Sequence, residues 1–90
     1  MKVRNMINAK GNPIANQFII TEGMTEVFQS YKSIIAKLHH GPVSTKVTLD
    51  KTYWDYSRTT GKYRNIFLGE SRETTERKIK SGEYKLANLN

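Results

Sequence analysis

Ninety residues with 15 Lys and Arg against 8 Asp and Glu make one small domain with a formal net charge of +7. That length excludes a two-domain enzyme with a large buried cleft, and no run approaches the roughly 18 apolar residues of a membrane span. With no cysteine, disulfides and thiolate metal sites are excluded as well, which fits a reducing cytoplasm.

The charge is uneven along the chain. Residues 1–16 carry Lys2, Arg4 and Lys10 and no acid. Residues 17–57 balance Lys32, Lys37, Lys46 and Lys51 against Glu22, Glu26, Asp50 and Asp55. Residues 58–90 hold eight bases and four acids. A neutral middle between two basic ends points to an anionic partner more than to a uniformly solvated surface.

In chain order, Asn5, Asn8, Gly11, Asn12, Pro13 and Asn16 break any regular pattern, so residues 1–16 are expected as a flexible basic arm and 17–90 as the folded domain. Gln17 to Thr21 is a short β-branched run before Glu22-Gly23 and predicts a strand. Residues 25–40 support two readings. Val27, Phe28, Tyr31, Ile34, Ile35 and Leu38 fall on one helical stripe, with Thr25 and Gly41 as caps. Alternatively, Glu26–Tyr31 and Ser33–Leu38 form a hairpin about Lys32, favoured by β-branched and aromatic content.

His39 to Pro42 is a loop signal, and Lys46 to Asp50 alternates as a strand before a turn at Asp50 to Thr52. Tyr53 to Tyr56 is a short strand or an extended lead into a helix. Ser57 to Gly69 reads as a helix with a hydroxyl cap at its start and a glycine stop. Arg58, Lys62 and Asn65 share its polar face, with Arg64 on the flank. A second helix spans Arg72 to Lys80, capped by Ser71, with Glu73–Arg77 and Glu76–Lys80 spaced as ion pairs. The expected core is Phe18, Ile20, Phe28, Ile35, Val47, Leu49, Trp54, Tyr63, Ile66 and Phe67.

Catalytic chemistry has little to stand on. The two histidines, His39 and His40, are adjacent, so on an extended chain they point to opposite faces. Asp50 and Asp55 read as a turn residue and a cap or ion-pair partner rather than a cation site. No phosphate loop, dinucleotide fingerprint, calcium loop or zinc spacing is present. The chain is therefore expected to be non-enzymatic and to need no cofactor or metal.

Binding is better supported. Arg58, Lys62 and Arg64 follow Tyr53, Trp54 and Tyr56, a pairing of bases and aromatics suited to phosphate contact and stacking. Trp54, the one tryptophan, is assigned to the core instead. Arg72, Arg77, Lys78 and Lys80 add a second basic strip. The second helix has too few apolar residues to lie on a membrane surface, so no membrane is expected as a partner.

The strings Val27 to Ala36, Val47 to Asp50, Trp54 to Tyr63 and Phe67-Leu68 resemble a pattern of small uncharacterised bacteriophage proteins, over about half of the chain. The resemblance implies a β-meander followed by a helix opening at Thr59-Thr60, and so the hairpin reading of 26–38. It also implies an accessory protein acting in the cytoplasm of a bacterial host, with no catalytic residues to carry over. Such a protein would bind a host protein or ribonucleoprotein complex, as an anti-CRISPR inhibitor does, or nucleic acid directly. At +7 the chain is a poor DNA mimic. The expectation is an α+β fold, a small antiparallel meander over roughly 17–56 followed by two short helices. Arg58, Lys62 and Arg64 are its main contacts, supported by Arg72, Arg77, Lys78 and Lys80.

Overall fold

The asparagine- and glycine-rich break near the start of the chain is a hairpin turn. The Asn8 side-chain oxygen accepts the backbone N–H groups of Lys10 and Asn12 at 2.9 and 3.0 Å, and Gly11 takes φ of 81°. The computed structural model describes residues 1–90. Its elements are β1 (Lys2–Ile7), β2 (Pro13–Glu22), β3 (Thr25–Ser30), β4 (Ser33–His40), β5 (Thr45–Asp50), α1 (Arg58–Leu68), α2 (Arg72–Lys80) and β6 (Lys85–Ala87).

Strands β1 to β5 form an antiparallel meander in sequence order, and β6 joins parallel to β5. The fold is α+β, a meander followed by two helices, as expected. Residues 1–16 are not an irregular arm. Lys2 to Asn5 pair with Phe18 to Thr21, and the Asn5 carboxamide donates to the Ile14 carbonyl where the register shifts. The asparagines that look like breakers tie a turn and fill a strand irregularity.

Residues 25–40 are the hairpin. Ile35 is an extra residue between the pairs Phe28–Ala36 and Gln29–Ile34, so β4 bulges there. Ile35 and Ala36 are consequently both fully buried against the helix side. The helical stripe seen in the sequence combines both faces of the sheet, Val27 and Ile34 on the open side and Phe28 and Ile35 in the core.

The face of the sheet carrying Ile19, Phe28, Ala36 and Leu49 holds the core, and α1 lies across it. Phe28 meets Phe67 with ring centroids 5.7 Å apart, and the Ser30 and Thr60 hydroxyls bond at 3.0 Å beneath the helix. Strand β2 carries the alternation opposite to expectation. Asn16 takes φ of 65°, Gln17 and Ile19 then turn inward, and Phe18 and Ile20 go to the open face, half-buried. A one-residue slip moves every side chain to the other face. Met6, Ala36 and Tyr84 complete the core, while Ile66 is 58% exposed and lies outside it. Trp54, Tyr63 and Phe67 pack against the core at its margin.

Tyr53 to Tyr56 is a turn rather than a strand. Asp50, buried at the end of β5, accepts the N–H groups of Thr52, Tyr53 and Leu89. Burial pushes its carboxyl up, but these bonds and the Asn90 side chain outweigh burial and hold it below the usual range. The C-terminal residues are thereby drawn across the sheet. The Asn90 carboxamide accepts from the Ile34 N–H at 2.7 Å and donates to its carbonyl at 3.0 Å, standing in for a peptide group where β5 has ended.

Candidate functional site: a basic cleft around Asp55

Both helices start on a serine. The Ser57 hydroxyl accepts the Thr60 N–H at 3.1 Å, and the Ser71 hydroxyl accepts the Thr74 N–H at 3.3 Å. Gly69, in the left-handed region at φ 70°, ends α1 and donates to the Asn65 carbonyl. The short connection brings Arg72, at the start of α2, beside the polar face of α1. A cleft lined by no hydrophobic residue results, formed by Arg58, Lys62, Arg64, Asn65 and Arg72 around Asp55, together with Ser57 and Gly61.

Asp55 is the hub. One carboxylate oxygen accepts from Arg64 at 3.0 Å and the other from Arg72 at 2.6 Å. Burial pushes this carboxyl up, but the bonds and charges of Arg72 and Arg64 outweigh it and hold it below its usual range. The bond to Asp55 in turn raises the Arg72 guanidinium. Trp54 lies against both guanidiniums, 5.2 Å from Arg64 and 5.6 Å from Arg72. Aspartate, tryptophan and two arginines thus lock the turn before α1 onto both helices.

The seven basic residues expected to bind do not share one role. Arg64 is only 1% exposed, and it also donates to the Trp54 carbonyl at 2.6 Å and to the Asn65 side chain. It builds the cleft and has no free face. Arg72 is engaged by Asp55 and, at 3.4 Å, by Glu76. Arg58 and Lys62 are exposed and have no carboxylate partner.

Arg77, Lys78 and Lys80 lie away from the cleft. Lys78 is held by Glu70 at 2.9 Å, Lys80 approaches Glu76 at 3.8 Å, and Arg77 does not pair with Glu73. Glu70 is the residue that charge patterning misses. Its carboxylate accepts from Thr75, Lys78 and the Tyr84 hydroxyl at 2.6, 2.9 and 2.8 Å. Burial raises it, yet those three bonds outweigh burial and hold it low. The bond to Glu70 raises Lys78, and burial followed by Glu70 raises Tyr84. The sole acid in the linker between two helices is its one sequence signal.

The histidines face apart, as their adjacency requires. His39 bonds the Thr25 hydroxyl and His40 the Thr45 hydroxyl, with Glu26 3.9 Å from His40. No helix is long and apolar enough to cross a membrane.

No curated protein and no solved structure matches the chain. Residues 1–83, which include the first five strands, both helices and every residue of the cleft, match a family of unknown function (DUF8033), and the chain belongs to that family.

Proposed function

We propose that this is a non-enzymatic binding protein that presents Arg58 and Lys62 to an anionic surface. In the phage setting implied by the resemblance over residues 27–68, the partner is a nucleic-acid-processing or defence-nuclease complex in the host cytoplasm. The chain then acts as an inhibitor of the anti-CRISPR kind. One observation carries the reading: two cations without counter-ions stand at the start of α1, in a cleft whose single carboxylate is already shared by two arginines. The first turn of α1 contains no acid, and a helix start is itself positive. Placing Arg58 there costs the helix about 0.3–1 kcal/mol, a cost that an anionic ligand would offset.

A second reading is direct nucleic-acid binding. It is favoured by Tyr56, 46% exposed two residues before Arg58, where a base could stack while the cleft holds phosphate. Capture from bacterial lysate, with and without nuclease, separates the two. A complex that survives nuclease and co-elutes as protein supports the first. Capture abolished by nuclease, together with a steep fall of affinity for free nucleic acid with salt, replaces it with the second.

A further inference from the structure

The two edges of the sheet are treated differently. At one edge β6 has three residues, and the tail after it is tied back through Leu89 and Asn90. At the other, β1 is six residues long, no strand lies beyond it, and no backbone bond outside the β1–β2 ladder involves it. Alternate N–H and C=O groups along this rim face solvent.

Its side chains are sorted by face. Lys2 and Arg4 are on the helix side, in register with Thr21 and Ile19, Met6 joins the core at the register shift, and Val3 is on the open side with Ile20. Neither Lys2 nor Arg4 has a carboxylate partner. Val3 and Ile7 are 59% and 63% exposed, and Arg4, Met6 and Ile7 line a crevice with the exposed Ile66 of α1 and with Glu26 of β3, two strands in from the rim and bonded to neither cation.

We propose that β1 receives an extended acidic segment of a partner protein as an added strand, a surface separate from the Asp55 cleft. Main-chain bonds to the rim supply the pairing. Carboxylates on the helix side of the incoming strand meet Lys2 and Arg4, an apolar residue enters beside Met6 and Ile66, and apolar residues on its other side cover Val3. The same two cations select the occupant. A second copy of β1 would bring lysine and arginine against lysine and arginine, and like charges across strands repel.

The test uses the full chain and a short synthetic peptide alternating valine and glutamate, followed by amide hydrogen exchange and by binding isotherms. Slowed exchange confined to the outward amides of β1 is expected. Lys2→Glu with Arg4→Glu, verified as folded, should weaken binding about tenfold or more and shift preference to a valine–lysine peptide. Arg58→Ala with Lys62→Ala should leave peptide binding unchanged, so failure here is distinguishable from failure of the functional reading. A peptide N-methylated on its pairing edge keeps its charge but cannot pair. Equal affinity for it, protection away from β1, or self-association through β1 without peptide binding each overturns the proposal.

Discussion

Helices α1 and α2 both open on an arginine, but Arg72 of α2 is paired with Asp55 and Glu76 while Arg58 of α1 has no carboxylate partner. On α2 the first turn holds Glu73 beside the paired Arg72, and the last holds Arg77, Lys78 and Lys80, which complement the C-terminal end of the helix dipole. Lys78 and Lys80 also have carboxylate neighbours. On α1 the first turn begins with Arg58, Lys62 follows one turn later, and no acid accompanies them within the first turn. Local stability explains the last-turn bases of α2, ion pairing explains Arg72, and neither explains Arg58. The comparison teaches that a positive count in the sequence is not a binding surface. What matters is the charge that remains after internal pairing, and where the helix would have placed it for its own sake.

The largest expected effect lies inside the cleft. Arg64→Ala removes a fully buried side chain that bonds Trp54, Asp55 and Asn65, and should cost about 3–4 kcal/mol in denaturant unfolding. A loss under about 1 kcal/mol would make Arg64 a surface residue, against its burial. Glu70→Ala comes next. It strands the Thr75 hydroxyl, the Tyr84 hydroxyl and Lys78 together, for about 2–3 kcal/mol. Partner binding by the folded fraction should be unchanged, because this cluster is structural.

Acid should reveal the same hubs. Asp50, Asp55 and Glu70 titrate below their ordinary values of 3.8, 3.8 and 4.5 when folded. In the window below those values the unfolded chain binds more protons, so stability rises with pH there. The contribution is complete above the ordinary carboxylate values and is lost as pH falls through the lowered ones. Glu70→Gln should flatten this acid limb in a pH series of unfolding midpoints. An unchanged limb would remove Glu70 from the account.

The smallest effect is expected at Gly61. A Cβ there would meet the Arg64 nitrogens at 3.7 Å and an Asp55 oxygen at 3.8 Å, which is ordinary contact. Gly61→Ala should therefore gain up to about 1 kcal/mol of helix propensity without closing the cleft. A destabilised variant would mean that the cleft at Gly61 is tighter than these distances.

Much of the second half was legible, because Ser57, Gly69 and Ser71 are local signals that act locally. The sheet was legible only in part. Gln17 to Thr21 offers apolar residues to both faces, and the choice fell to Asn16, whose positive φ resets the alternation. Residues 27–38 offer apolar side chains to both faces of the hairpin, which gave them a helical period, and the turn at Asn8 to Asn12 looked like disorder because its residues bond their own backbone. At the site, charge alone could find Arg58 and Lys62. It could not distinguish them from Arg64, because burial of an arginine depends on Asp55 and Trp54 reaching it from nine and ten residues earlier.

The central comparison is tested most directly by two charge-matched double variants in the same lysate capture. Arg58→Ala with Lys62→Ala and Arg77→Ala with Lys80→Ala each remove two exposed cations, and the first should leave unfolding free energy unchanged or raise it by up to about 1 kcal/mol while the second lowers it by about 0.5–1 kcal/mol, with both proteins folded. The α1 pair should lose the captured partner while the α2 pair retains most of it. Equal loss from both, or retention by the α1 pair, would contradict the assignment of binding to the Asp55 cleft.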